Sequence, residues 1–163
     1  MTDERQGDAL PEIVARLPYE SGIVFRHYSL ASDQRRMLFE RIRTIARGRL
    51  VLLAGDAALA ASWGADGSHG SGSGIGLRSA PVHNHAQIRA AERHGADLLF
   101  LSPVFATRSH PDAPPLGMAR FAWLARRTAL PVIALGGMDA RRGRRLASFG
   151  AYGWAAIDAW TSA

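Results

Sequence analysis

The sequence predicts an α/β fold built on a parallel sheet. Short apolar runs alternate with amphipathic helical segments along the whole chain, and most connections are only a few residues long. The apolar runs are uninterrupted, which is typical of strands buried on both faces. We expect seven strands, centred near Ile23, Val51, Gly67, Ala80, Leu98, Val132 and Trp154. Seven strands are one short of a closed (β/α)8 barrel.

The composition is that of a globular chain with a single domain over residues 1–163. Hydrophobic residues make up 47% and charged residues 21%, a balance that does not favour disorder. No run approaches the ~18 apolar residues that a membrane helix needs. The polar, acidic start at Met1–Arg5 does not resemble a secretory signal peptide. We therefore expect no membrane partner and a cytoplasmic location.

The residue types exclude several kinds of chemistry. There is no cysteine, so disulfides, thiolate nucleophiles and cysteine-bound clusters are excluded. All 20 basic residues are arginine, which excludes a lysine Schiff base and the usual P-loop lysine. The net charge of +6 fits a polyanionic partner or a solvated arginine-rich surface. The cluster Arg141–Arg145 has no interleaved aromatic residues, so we interpret it as a solvated helix face and do not expect nucleic acid binding.

Helix signals lie between the predicted strands. Apolar residues at helical spacing predict a first helix over Asp8–Leu17. Ser32 and Asp139 are predicted N-caps, and Asn84 followed by Gln87 has the pattern of a capping box. The glycine and serine tract over residues 70–76 predicts a flexible loop.

The stretch from Gly95 to Gly137 organises the predicted site. It contains a strand, a loop rich in hydrogen-bond donors, a helix and a second strand that ends in Gly136 and Gly137. Parallel barrels carry their functional residues at the carboxyl ends of the strands. Glycines there let the backbone approach an anion closely. Arg26, at the end of the strand near Ile23, is a further site candidate.

Four stretches together resemble the thiamine-phosphate synthase and thiazole tautomerase (TenI) family. They are residues 64–69, 95–107, 114–117 with 130–138, and 150–155, in order and at family spacing. The resemblance implies a (β/α)8 barrel whose first strand ends in a Thr-Asp pair. We therefore interpret residues 1–3 as the tail of that strand, with its body truncated or missing.

An open barrel of this kind would expose strand edges near residues 22–26 and 153–157. Exposed edges promote aggregation unless other residues cover them. A second copy of the chain, giving a homo-oligomer, is one candidate cover.

The resemblance implies a site for a phosphorylated thiazole or pyrimidine metabolite. It places the substrate and phosphate contacts at Arg26, Thr107, Arg108, Ser109, His110, Gly136, Gly137 and Asp158. His110 replaces a family lysine, and a neutral imidazole holds phosphate less well than an ammonium group. Asp158 replaces a family serine, and we expect its carboxylate to repel a phosphate.

The metal-binding carboxylates of the family are displaced or absent. The family's Asn-Asp pair falls on Ala54 and Gly55, which leaves Asp56 one place late, and its Gln-Glu-Asp falls on residues 72–74. We therefore expect no metal site and no certain cofactor, with magnesium required only if synthase activity survives.

His83 is the predicted catalytic residue. In tautomerase-like members a histidine after the fifth strand moves a proton, and His83 matches that position; a histidine suits proton transfer without a metal. The alternative is that His83 only packs against or caps the following helix, and we expect His69 to be structural.

These residues favour an enzyme that acts on or binds thiazole phosphate by histidine-mediated proton transfer. The alternatives are a degenerate synthase that joins a pyrimidine diphosphate to thiazole phosphate, and a non-catalytic barrel that binds a metabolite or a partner.

Overall fold

The computed structural model describes residues 1–70, 74–109 and 111–160. All seven predicted strands are confirmed: β1 (Ile23–Phe25), β2 (Val51–Ala54), β3 (Gly67–His69), β4 (Leu77–Val82), β5 (Leu98–Leu101), β6 (Val132–Leu135) and β7 (Gly153–Ala155). The α-helices are α1 (Leu10–Arg16), α2 (Ser32–Ala46), α3 (Ala57–Ser62), α4 (His85–Arg93), α5 (Gly117–Ala125) and α6 (Ala140–Ala147). Two 3-10 helices cover Glu4–Ala9 and Asp158–Trp160.

The seven strands form one parallel sheet in chain order, from β1 to β7. The register pairs Phe25 with Leu53, and Leu135 with Ala155, at the carboxyl ends of their strands. Each strand therefore delivers its following loop to the same edge of the sheet. This is the arrangement of a (β/α)8 barrel that lacks its first strand, as the sequence predicts.

Residues 1–3 lie between the two end strands of the sheet. The amino group of Met1 donates to the carbonyl of Ala156, just after β7, at 3.0 Å. The amide of Thr2 donates to the carbonyl of Val24 in β1 at 2.9 Å. These contacts confirm that the segment occupies the place of a strand's tail. They also bring β1 and β7 to either side of a three-residue segment, so the sheet curls into an open barrel.

The rest of the seam between β1 and β7 is an apolar cavity of about 690 Å³. Its walls include Leu10, Val24, Phe100 and Trp154. The two end strands differ in the exposure that the sequence predicts for them. All three residues of β1 are buried, whereas those of β7 are half-buried. The side chains of α1 pack with the β1 residues in one hydrophobic cluster, and this packing accounts for the difference.

The core lies on both sides of the sheet. Alternate residues of β1 and β2 pack outward against helices, as Phe25 does against Phe39 of α2. The intervening residues Val24, Leu52 and Ala54 form a smaller cluster with Phe100 of β5 inside the barrel. This inner cluster blocks the barrel interior beneath the carboxyl edge.

Two of the three predicted N-caps are confirmed. The side chains of Asn84 and Asp139 accept from the amides of Gln87 and Arg142. The prediction for Ser32 is wrong, because α2 is preceded by Ala31 in the cap position and has no side-chain cap. Gln87 also departs from the capping-box prediction, since its Oε1 accepts from the amide of His83 at 2.7 Å.

Candidate functional site

A cavity of about 980 Å³ opens at the carboxyl edge of the sheet. The site residues predicted from the sequence line it together: Arg26, His83, Thr107, Arg108, Ser109, Gly136, Gly137 and Asp158. His110 lies outside the described residues, as do residues 71–73 of the glycine and serine tract. The cavity is also lined by Arg120 on α5, a cation that the sequence analysis did not single out. No local pattern distinguishes Arg120 from the other exposed arginines.

The backbone amide and carbonyl of Arg26 are both held by hydrogen bonds. Its amide donates to the hydroxyl of Thr2 at 2.9 Å, and its carbonyl accepts from Nε of Arg35 at 2.9 Å. Its guanidinium Nη1 lies 3.7 Å from the carboxylate of Asp3. The N-terminal segment therefore fixes this arginine at the rim of the cavity.

Arg35 is a buried arginine that sequence reasoning missed. Besides the Arg26 carbonyl, it donates from Nη2 to the carbonyl of Ala54 at 2.7 Å. It thus ties the end of β1 to the end of β2, next to Gly55 and Asp56. Burial lowers the pKa of this guanidinium, but an arginine side chain stays charged at any physiological pH.

His83 has an orientation that suits proton transfer. Its Nδ1 lies 2.7 Å from the carbonyl oxygen of Ser102, which can only accept, so Nδ1 carries a proton. In the neutral ring Nε2 is then an acceptor, as a general base must be. The contact from the His83 amide to Gln87 fixes the backbone as well. The alternative that His83 caps the helix is not what the contacts show, since Asn84 is the capping residue.

His69 is neutral and tightly held at the end of β3. The hydroxyl of Ser79 donates its hydrogen to the carbonyl of Ser68 at 3.1 Å. Ser79 Oγ can therefore only accept from His69 Nδ1, which lies 2.9 Å away and carries the ring proton. The ring packs edge-on against Phe100 at 4.8 Å. Burial, assisted by the positive charge of Arg26, lowers the pKa of His69 to about 4. These contacts agree with the structural role expected for His69, and the ring also lines the cavity.

His27, just after Arg26, is a second buried histidine that the sequence analysis did not identify. Its Nδ1 lies 3.1 Å from the hydroxyl of Thr2, and its ring stacks on Phe25 at 4.9 Å. Burial lowers its pKa. His27 adopts a left-handed backbone conformation, with φ of 44°. The turn after β1 is therefore locked to the N-terminal segment through one hydroxyl group.

Asp158 does not face the cavity as an uncompensated negative charge. Its Oδ2 lies 3.2 Å from Nε of Arg108, and its Oδ1 lies 3.5 Å from Nη1 of Arg5. The Nε of Arg5 donates to Asp3 at 2.7 Å, and its Nη2 donates to the hydroxyl of Ser109 at 3.0 Å. Burial opposes ionisation of Asp3, but its hydrogen bonds with Arg5 lower the pKa of its carboxyl below the ordinary value.

Gly136 and Gly137 form a turn that no larger residue could make here. Their φ angles are 95° and 60°, in the left-handed region. A Cβ at Gly136 would lie 2.7 Å from Cα of Pro103, and one at Gly137 would collide with the carbonyl oxygen of Ala106. The Gly137 carbonyl accepts from Nη1 of Arg142. The turn approaches the loop after β5 so closely that neither position has room for a side chain, which explains why both residues are glycine.

The residues around the cavity do not fit a magnesium site. Among residues 1–70, 74–109 and 111–160, no group of three or more His, Cys, Asp or Glu side chains could hold a metal ion. Asp56, the displaced candidate, uses its Oδ1 to accept from the amides of Ala58 and Leu59 at the start of α3.

A family model described as thiamine monophosphate synthase matches residues 2–160 of the chain. The chain belongs to the thiamine monophosphate synthase family. A thiamine-phosphate synthase of Coprothermobacter proteolyticus is 33% identical over 124 residues, which are 66% of this chain and 56% of that protein. A thiamine-phosphate synthase of Anaeromyxobacter dehalogenans is 35% identical over 117 residues, 60% of this chain and 50% of that protein. The matches thus span about half the length of these relatives.

The fold is shared with a solved thiamine phosphate pyrophosphorylase. Thiamine phosphate pyrophosphorylase from Pyrococcus furiosus superposes with a TM-score of 0.83, over 99% of this chain and 85% of that one, at 22% sequence identity. This likeness agrees with the open (β/α)8 barrel described above. Within the described part of the chain, no helix is long and apolar enough to cross a membrane.

Proposed function

We propose that this chain makes thiamine phosphate by joining a pyrimidine diphosphate to a thiazole phosphate. The curated relatives are named for this product and not for a tautomerase, so they favour the synthase reading over histidine-mediated tautomer conversion. The observation that carries the proposal is the charge of the cavity wall. Arg26, Arg108 and Arg120 line one cavity together with the paired glycines after β6.

The chemistry of the joining reaction calls for such a wall. Forming the new carbon–nitrogen bond breaks a carbon–oxygen bond, and the electron pair leaves with inorganic diphosphate. Guanidinium groups bind phosphate oxygens through paired hydrogen bonds and stabilise charge as it develops on the leaving group. The backbone at Gly136 and Gly137 lies at the standard phosphate-binding position of a barrel, after the penultimate strand. We assign the diphosphate to the arginines and the thiazole phosphate to the glycine turn.

Proton transfer by His83 is the second candidate function. It is favoured by one observation, the contact with the Ser102 carbonyl that leaves Nε2 as an acceptor. A neutral imidazole oriented in this way could move a proton on a bound thiazole phosphate. The same cavity would serve both reactions, and the two are distinguished by their products.

The test is a product assay with the whole chain in buffer containing magnesium ions. Wild type, Arg26→Gln, Arg120→Gln and His83→Gln are incubated with both substrates, or with the thiazole phosphate tautomer alone, and products are identified by mass spectrometry. The control is Arg16→Gln, on an exposed surface of α1. We expect thiamine phosphate from wild type and control, and at least about tenfold less from Arg26→Gln because a charged hydrogen bond is worth about 1.5–3 kcal/mol.

Two results would contradict the synthase proposal. Tautomer conversion without any thiamine phosphate would favour the His83 function. Neither product, with thiazole phosphate still bound in calorimetry, would favour a non-catalytic metabolite-binding barrel. The cytoplasmic location and a homo-oligomer covering the seam stay predictions.

A further inference from the structure

We propose that Asp158 is an internal anion that a substrate phosphate displaces, and that Arg5 is a binding residue for that phosphate. The inference rests on the proposed function for the identity of the substrate, and on the contacts of Asp158 for the site itself. The ligand class is a phosphate monoester or diphosphate.

The geometry places one carboxylate between two guanidinium groups from distant parts of the chain. Arg5 comes from the first 3-10 helix and approaches Oδ1, whereas Arg108 comes from the loop after β5 and approaches Oδ2. A group that accepts from two arginines through separate oxygens occupies a position suited to a phosphate. The neighbouring hydroxyl of Ser109 already accepts from Arg5.

Arg5 is oriented without help from Asp158. Its Nε donates to Asp3, and Asp3 also lies near Arg26 through its other oxygen. The Arg5 guanidinium therefore keeps its position when Asp158 moves away. This orientation in advance of binding lowers the cost of holding an incoming anion.

The two ion pairs that join Asp158 to Arg5 and Arg108 are weak enough to exchange. The carboxylate is 35% exposed, the Arg108 side chain is 76% exposed, and the distance to Arg5 is 3.5 Å. Exposed ion pairs of this kind contribute little to stability. A phosphate dianion carries more charge than a carboxylate and has three oxygens, so it competes effectively for the same two arginines.

Asp158 stands where the family has a serine, and this arrangement changes the expected effect of that aspartate on phosphate binding. The sequence alone predicts that Asp158 repels phosphate. With two arginines beside it, the carboxylate instead keeps the cation pair neutralised until a stronger anion arrives. The site then selects against weakly charged ligands, which cannot displace the carboxylate.

The experiment is titration calorimetry with inorganic phosphate as the probe, at fixed ionic strength. The variants are Asp158→Asn, Arg5→Gln, the double variant Asp158→Asn with Arg5→Gln, and the control Arg16→Gln. We expect Asp158→Asn to bind phosphate roughly five- to tenfold more tightly, equivalent to about 1–1.4 kcal/mol. Adding Arg5→Gln should remove that gain, and Arg16→Gln should match wild type.

Unchanged or weaker phosphate binding by Asp158→Asn would overturn the inference, provided that its unfolding temperature shows a folded protein. Equal phosphate affinity in Arg5→Gln and wild type would overturn the role of Arg5. Failure of the proposed function is a separate result: tighter phosphate binding by Asp158→Asn without thiamine phosphate formation would retain this site and reject the synthase. Thiamine phosphate formation with no effect of Asp158→Asn would do the reverse.

Discussion

The Nδ1 atom of His83 lies 2.7 Å from the carbonyl oxygen of Ser102, across the gap between the ends of β4 and β5. This contact fixes which ring nitrogen is protonated and therefore which one can act as a base. The two neighbouring strands thus cooperate to orient one imidazole in the cavity.

His83→Gln separates the two candidate reactions. If His83 moves a proton in tautomer conversion, the variant should lower kcat for that reaction by about 10²–10⁴-fold. Thiamine phosphate formation transfers no proton through His83 in our proposal and should fall by less than about tenfold on the same scale. Steady-state kinetics of both reactions check this, with His85→Gln on the same helix as the control. Equal losses in the His83 and His85 variants would refute the assignment.

His69 should make the protein less stable as the pH falls. Its pKa is about 4 in the folded chain, against about 6.5 in an unfolded chain. Between those values the unfolded state binds a proton that the folded state does not, so stability decreases from pH 6.5 to pH 4, by up to about 3 kcal/mol. Urea unfolding at pH 7, 5.5 and 4.5 measures this slope. His69→Gln should flatten the slope relative to wild type and to His85→Gln, and an unchanged slope would show that His69 is not the group responsible.

Gly137→Ala should cost more than the same change at a glycine in open space. Gly48 also has a positive φ, of 84°, but no atom lies within 4 Å of a Cβ built there. We expect about 1 kcal/mol of destabilisation for Gly48→Ala from backbone conformation alone, and a further ~1–3 kcal/mol for Gly137→Ala from the collision with Ala106. Denaturant unfolding compares the two variants. Similar midpoints would mean that the turn relaxes without cost.

Arg35→Met should loosen the ends of β1 and β2. The change leaves the carbonyls of Arg26 and Ala54 without their buried donor, at a cost of about 1–3 kcal/mol for each group left unsatisfied. The control is Arg36→Met on the same helix, where an exposed pair with Glu40 is worth at most about 0.5 kcal/mol. Unfolding free energies measure both. A cost for Arg36→Met equal to that of Arg35→Met would contradict the role of Arg35 as a tie between strands.

The fold could be predicted because its signals are local. Each strand is a short apolar run, and Asn84 and Asp139 stand directly before the helices that they cap. Ser32 failed as a cap because the helix begins one residue earlier than its side chain would require, and two adjacent positions look alike in sequence. Residues 1–3 were identified from the Thr-Asp pair of the family.

The electrostatics of the site could not be predicted in the same way. Arg5 pairs with Asp158 although the two residues are 153 positions apart in the chain. They meet only at the seam between β1 and β7. Arg35 lies on the same helix as three other arginines, and nothing in its neighbours marks it as the buried one. Sequence patterns report which face of an element is apolar, whereas these contacts depend on how separate elements meet.

The central claim is that the cavity at the carboxyl edge holds the phosphorylated substrates. A crystal structure of the chain grown with thiazole phosphate tests it most directly. We predict that the phosphate group lies at the turn of Gly136 and Gly137 and that the thiazole ring lies in the cavity between His83 and Arg26. Thiazole phosphate bound elsewhere on the protein, with this cavity unoccupied, would contradict the account.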